Sequence, residues 1–430
     1  MGNFLNKKGS FAVFAIMIFT SSIAALWIII NAAGNLAIGS TINSFGNLWG
    51  KSILGEYDLF IRDRYGLLAY YGDKASIEEK LKKYADYSLK DKEYINLQNI
   101  GCSLEDYSLA DTDNLAEQIG LIALEGTKPI VRITDESPIE PDLDIKESEN
   151  KTITASWIIE SLPSYGKADS LYITGLANSI KEGVNMESMV NNVAIDKYIF
   201  NFFKDYMNER DLGKTYFNCE VEYIICGEFS DSSLKAETED IIVVLRNILN
   251  LYYLYTCSEK REGVMALAAS LTPGAMSFIT QAVLLEAWAF AEAKNDIKLL
   301  NNNYAVALLK NDSNWALTIE NVFYTQKASD TQSEEKITAE DIIKEEPPGY
   351  IVPKDTDGAV YSDYLRVLLC GVPEKTKLLR IMDLIQINMK YIYCDYFLVK
   401  DYYSGLSYSL KVNNIEYEFK DEYFKKEQKG

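Results

Sequence analysis

The sequence predicts an α+β protein, in which a long N-terminal transmembrane and stem helix precedes a mostly helical body outside the membrane that carries antiparallel strands. Three observations support this. No residue between Lys8 and Lys51 carries a side-chain charge, a run of 42 positions. Apolar runs suited to helices predominate further along, as at Ile241 to Tyr255. From Asp401 to Phe419, alternating Tyr-rich segments flank Asn413-Asn414, a pair able to adopt the positive φ of a tight hairpin.

At 430 residues the chain is long enough for two or three folding units of about 150 residues each. Lys plus Arg number 43 and Asp plus Glu 63, a net charge of −20, so phosphate backbones are repelled and nucleic acid is not an expected partner. Histidine is absent, which removes Ser-His and Cys-His nucleophile pairs, the usual zinc ligand sets and the commonest neutral-pH base. With no phosphate-binding glycine loop, nucleophile elbow or Cys-x-x-Cys pair, neither an enzyme nor a cofactor is expected.

Phe11 to Ile30 is nearly continuous in Phe, Ala, Ile, Met, Leu and Trp. At 1.5 Å per residue it spans about 30 Å, the hydrocarbon thickness of a bilayer. The hydroxyls of Thr20, Ser21 and Ser22 can return to the preceding turn, and Ser21 with Ala25 makes a small-xxx-small face for helix contact. Lys7 and Lys8 keep the N-terminus in the cytoplasm and send the body out, a single pass across the cell membrane. A cleaved secretory signal starts the same way, but its apolar core runs only about 7 to 15 residues. Beyond Ile30, Ile38, Ile42, Phe45 and Trp49 form a 4-3-4 stripe, so the helix is expected to continue as a stem, and Gly46 with Gly50 forms a GxxxG pair where another helix could approach. A loosely ordered glycine-rich linker is the alternative.

The expected divisions are a cytoplasmic N-terminus at 1–8, the transmembrane and stem helix at 9–55, a first α+β region at 56–235 with an acidic loop at 135–150, and a helical region at 236–430 with a loop at 328–358 and the C-terminal hairpin. Within them, Ser76 is the expected cap of a surface helix carrying Ile77, Leu81 and Tyr84. Lys214 to Phe229 alternates, with Cys219, Val221, Tyr223 and Ile225 on one face and Glu220 and Glu222 on the other, as in a half-buried strand. Ile241 to Tyr255, interrupted by Arg246, Asn247 and Asn250, reads as a core helix. Gly263 to Leu285 has no charge and is long enough for a second crossing, yet Thr272-Pro273-Gly274 divides it, with Thr272 as N-cap of a helix running to about Leu300.

Three features resemble chemistry. Glu220 and Glu222 could pair as hydrolase carboxylates, against the reading of a solvated strand face. Asp355-Thr356-Asp357-Gly358 suggests a calcium loop, but Pro353 and Tyr364 occupy ligand positions. Cys102, Cys219, Cys226, Cys257, Cys370 and Cys394 are scattered, mostly in apolar contexts, and their spacing selects no disulfide pairing.

Lys7-Lys8-Gly9-Ser10-Phe11-Ala12-Val13-Phe14, the apolar stem, Leu54-Gly55-Glu56-Tyr57-Asp58-Leu59-Phe60 and Arg64-Tyr65-Gly66-Leu67 resemble a Gram-positive family of pilin-like membrane proteins. The family carries a domain of unknown function and is associated with tight-adherence (Tad, TadE-like) type IV pili. The resemblance continues through Leu285-Glu286-Ala287-Trp288, Asp363-Tyr364-Leu365-Arg366 and Arg380-Ile381-Met382-Asp383. It implies a minor subunit or assembly component of a surface pilus, with the bilayer and other pilin-like subunits or the assembly machinery as partners. It also implies a leader junction at Gly9-Ser10, where Phe14 occupies the position of the usual glutamate, so little cleavage is expected. A membrane-tethered binding or adhesion protein is the alternative, for which 30 tyrosines could supply contact surface.

Overall fold

A computed structural model describes residues 4–130, 151–169, 186–207, 212–324, 338–345 and 349–424. The loop expected at 135–150, and residues 328–337 and 346–348 of that expected at 328–358, lie outside the described residues. The chain is an α+β protein and divides into two compact units. The first, the sheet unit, is Met1–Arg62, Leu67–Asn114 and Leu398–Gly430; the second, the helical unit, is Asp63–Gly66 with Leu115–Phe397. The division therefore falls elsewhere than at residue 235. The first unit is assembled from both ends of the chain, a pairing that local composition cannot register.

In the sheet unit, α1 (Phe4–Leu54) is one continuous helix of 51 residues, about 77 Å at 1.5 Å per residue. This replaces the alternative of a loose linker after Ile30. Helix α2 (Leu59–Tyr65) carries the chain onward, and the two-residue strand β1 (Tyr70–Tyr71) follows. In α3 (Lys74–Leu89) the N-cap is Asp73 rather than the expected Ser76: Asp73 accepts from the Ser76 amide while the Ser76 hydroxyl accepts from the Asp73 amide. Such a reciprocal box satisfies two of the helix's orphan donors. Ile77, Leu81 and Ala85 point into the core.

Strand β2 (Leu97–Ser103) precedes α4 (Thr112–Glu125). At the C-terminus, β3 (Tyr402–Tyr403) pairs with β1, and β4 (Gly405–Val412) and β5 (Ile415–Glu422) form the expected hairpin. Asn413 and Asn414 both have positive φ, 47° and 67°. The sheet order is β2-β4-β5, all antiparallel. Its third strand, β2, is paired across more than 300 positions and leaves no local signature.

The helical unit contains α5 (Ser156–Glu160), α6 (Met186–Phe202), α7 (Glu220–Cys226), α8 (Asp231–Thr256), α9 (Ser258–Leu271), α10 (Ser277–Asn301), α11 (Ile319–Val322), α12 (Ala339–Ile342), α13 (Tyr361–Leu369) and α14 (Glu374–Ile392). The expected strand at Lys214 to Phe229 is wrong, since its centre is the seven-residue helix α7. Every side chain from Glu220 to Ile225 is buried, so the alternation of apolar and acidic residues does not correspond to an inside and an outside. Gly227 closes the helix at φ 85°, the left-handed C-cap conformation that glycine adopts freely. The expected core helix is present as α8, longer than the apolar run alone, and Leu254, Val264, Leu284 and Leu285 join α8, α9 and α10 in one core. Gly263 to Leu285 is therefore two helices. Thr272 ends α9 instead of capping the next helix, which begins at Ser277.

Candidate functional site: a stem docked on its own sheet

Helix α1 is two-sided along its length. From Phe11 to Leu36 every side chain is exposed, with Phe11 72% and Leu36 75% accessible. This is the one described helix long and apolar enough by itself to cross a membrane. Thr20, Ser21 and Ser22 return their hydroxyls to carbonyls one turn back, as expected, so they add no unsatisfied donor to an apolar surface. Phe14, Ser21 and Ala25 lie on this half, and the backbone at Gly9 and Ser10 belongs to the same helix.

From Ile38 onward the stripe becomes a contact surface. Ile42, Trp49, Ile53 and Leu54 are buried with Leu406, Tyr408, Leu410, Val412 and Phe419 of the sheet, and Ile38 and Phe45 pack at the edge of this core. Phe45 stacks on Trp49 with centroids 6.2 Å apart, and the Trp49 indole donates to Ser88 on α3. Gly46 and Gly50 sit where the helix comes closest to β5. A Cβ on Gly46 would overlap the Phe419 ring, and one on Gly50 would overlap the Asp421 carboxylate. The Tyr408 hydroxyl donates to the Gly46 carbonyl, and Tyr423 donates to that of Leu54 at 2.6 Å.

The expected role of Gly46 and Gly50 in association between copies is thus corrected. Their missing side chains admit the chain's own sheet, and of the expected association positions only Ser21 and Ala25 remain uncovered. Sequence reasoning did not identify Tyr408, Phe419 and Asp421 as the receiving surface. The alternation of the hairpin marks Tyr408 and Phe419 as facing one way, but not what they face.

Glu220 and Glu222 are both fully buried, not on a solvated face. Glu220 accepts from the Lys204 amide at 2.9 Å and from Asn388 at 2.6 Å; Glu222 accepts from the Tyr206 amide at 2.9 Å and the Tyr361 hydroxyl at 3.1 Å. Burial pushes the Glu222 carboxyl up to about 8 and raises that of Glu220. The pair latches the chain after α6 to α7, a structural role. Arg380 of α14 donates to the carbonyls of Ile224, Ile225 and Cys226, taking the acceptors that a helix C-terminus leaves open. Beside it Asp383 accepts from Tyr223 and the Ser164 amide, and burial raises its carboxyl to about 6.

A second buried network joins α8 and α10. Asp296 receives Arg246 at 3.0 Å and Lys310 at 2.6 Å, and Glu292 pairs with Lys310 while accepting the amides of Ala316 and Leu317.

Among the described residues no group of three or more Cys, Asp or Glu side chains gathers as a metal site. In the expected calcium loop, Asp355 accepts from the Asp357 amide, a local turn. The six cysteines are free thiols, and burial raises Cys102 to about 11 and Cys226 to about 12. An open cleft of about 670 Å³ lies between Phe200, Asp205, Tyr304, Tyr361 and Arg366. Its guanidinium stacks 4.4 Å over Phe200 and pairs with Asp363.

Residues 144–414, more than half of the chain, match a family of unknown function, DUF5702. No curated protein and no solved structure matches.

Proposed function

The chain belongs to DUF5702, a family of unknown function, and we propose that this member is a pilin-like, single-pass membrane protein, a non-enzymatic minor subunit or assembly component of a Tad-type surface pilus. The observation that supports this most is the division of α1. One half is exposed and apolar, fit for lipid before assembly and for neighbouring stems after it, while the other half is held by a three-stranded antiparallel sheet of the same chain. Lys7 and Lys8 favour a cytoplasmic N-terminus and a body outside the cell membrane. Phe14 cannot neutralise a neighbour's new amino terminus as a glutamate would, so the leader through Gly9 stays attached.

The tyrosines favour this over a membrane-tethered binding protein. Tyr70, Tyr198, Tyr216, Tyr223, Tyr361, Tyr364 and Tyr408 are buried and cross-link segments through their hydroxyls instead of forming one cluster in water. The cleft beside Arg366 is where the binding reading would place a ligand.

Two measurements test the proposal. Protease added to wall-stripped cells should cut the body, and an epitope at Gly430 protected in full would refute the topology. Crosslinking between copies through Asn35→Cys should fall sharply when Ser21 and Ala25 are both replaced by Ile, because stems in lipid associate by close approach at small residues. Undiminished crosslinking, or none in either protein, would leave α1 a simple anchor.

A further inference from the structure

Glu292 and Asp296 stand one turn apart on α10, and Lys310 lies on the segment that follows that helix. All three side chains are buried, Lys310 at 1% exposed and both carboxylates at 0%. The Lys310 Nζ is 2.6 Å from Asp296 Oδ1 and also donates to Glu292 Oε1. The other oxygen of Asp296, Oδ2, accepts from Arg246 Nε at 3.0 Å and from Asn250 Nδ2 at 3.1 Å, both reaching across from α8. The Trp315 ring lies against the amine, its centroid 5.6 Å from Nζ, and Trp315 belongs to the core that holds Trp288 and Leu317. A primary amine, a carboxyl carbon and a second carboxyl are thus held together out of water.

We propose that Lys310 and Asp296 condense into an intramolecular amide, with Glu292 as the proton carrier. The Glu292 carboxylate takes a proton from the Lys310 ammonium, and the freed amine adds to Asp296 Cγ. Oδ1 then leaves as water, with the proton that Glu292 returns and a second one from Nζ. One C–N bond forms, one C–O bond breaks, and no oxidant or outside reactant is needed. Burial raises the Glu292 carboxyl above its usual range, which makes it a ready acceptor. Arg246 and Asn250 aim two donors at Oδ2, the oxygen that carries the charge of the tetrahedral intermediate and becomes the amide carbonyl. An ammonium and a carboxylate free in water stay apart because hydration stabilises both ions. Here that hydration is missing and the reactants are already in contact, so exchange of two buried ions for a neutral amide and a released water is favoured. Arg246 and Glu292 remain as one cation and one anion, and the cluster stays neutral. The bond joins positions 14 apart and fastens the segment after α10 back onto that helix, without a disulfide, since the six cysteines are free thiols. It depends on neither the membrane nor the pilus.

The test is the mass of the full chain, purified in detergent and then denatured. Wild type should be lighter than Lys310→Arg by one water beyond the substitution itself, because a guanidinium does not add to the carboxyl. Fragmentation of wild-type peptides should place the bond between residues 296 and 310, with Lys310 resistant to trypsin. Asp296→Asn should reach the same final mass as wild type, since ammonia leaves in place of water and the product is the same amide. Glu292→Gln should leave most molecules uncondensed while circular dichroism shows the helices intact. A wild type that keeps its full mass overturns the proposal without recourse to any variant, and so does a bond mapped to Glu292 in place of Asp296. If Glu292→Gln condenses as completely as wild type, Glu292 is not the proton carrier and the mechanism falls.

Discussion

In the sheet unit the stem is held by shape, whereas in the helical unit the helices are held by paired charges. Of the buried polar and charged side chains among the described residues, Asp421 alone belongs to the sheet unit; Glu220, Glu222, Arg246, Glu292, Asp296, Lys310, Lys377, Arg380 and Asp383 are all in the other. Two missing side chains and a ring, at Gly46, Gly50 and Phe419, set the depth at which α1 lies on β5. The helical unit fixes its packing by directional partners, as when Arg380 takes three carbonyls at the end of α7. Apolar contact tolerates small slides, but a buried ion accepts only the geometry that satisfies it. The two units should therefore respond to different perturbations, and Trp49 in one and Trp288 with Trp315 in the other give separate fluorescent reporters.

The largest expected effect is from Asp296→Ala, which strands Arg246 without a counter-ion and leaves Lys310 with Glu292 alone. Breaking a buried pair this way costs about 3 to 5 kcal/mol. Urea unfolding followed through Trp288 and Trp315 should shift by that amount while the Trp49 transition stays in place; an unchanged midpoint would mean the network is not needed. Next is pH. Glu222 holds its proton up to about pH 8 when folded but releases it near 4.5 when unfolded, so the folded state binds more protons across that window. Stability of the helical unit should then fall by a few kcal/mol as pH rises from about 4.5 to 8. Asp383, raised to about 6, adds the same sign at lower pH. Glu222→Gln should flatten the slope in pH-dependent melting, and an equally steep slope in the variant would place its origin elsewhere.

Gly50→Ile should act only on the sheet unit. Its side chain meets the Asp421 carboxylate, and overpacking of this kind costs about 1 to 3 kcal/mol. Trp49 emission should shift toward that of water. If the variant keeps wild-type stability, α1 does not lie on β5 as described. The smallest effect expected is from Tyr408→Phe, which removes the donor to the Gly46 carbonyl and should cost about 1 kcal/mol by chemical denaturation.

Legibility followed the range of the interactions. The Asn413-Asn414 hairpin, the exposed span of α1 and the division of Gly263 to Leu285 depend on neighbours within a few positions, and each is readable. The stripe Ile38, Ile42, Phe45 and Trp49 is also readable as a buried face, but its partner lies more than 350 residues away, so Gly46 and Gly50 suggested another helix where β5 was the answer. Helix α7 was missed because a segment buried on every side has no polar face to set its period; Gly227 was its one local sign. Arg246 and Asn250, which break an apolar run in the sequence, join its buried network. A pattern of residue types records how often polarity changes and not which charges will meet.

The sheet unit also fixes an order of events during synthesis. Residue 46 is made early, and Tyr408, which donates to its carbonyl, comes 362 positions later. Closing a flexible loop of that length costs about 5 kcal/mol of chain entropy, so the dock on β4 and β5 cannot form until almost the entire chain has emerged. The helical unit, nearly continuous from Leu115 to Phe397, can fold while the last strands are still being made, and doing so replaces most of that loop with a folded body. Until then the lower stem has its glycine face bare. A ribosome stalled anywhere before Gly405 yields a chain whose stem lacks its seat, and full-length synthesis becomes the condition for a finished stem.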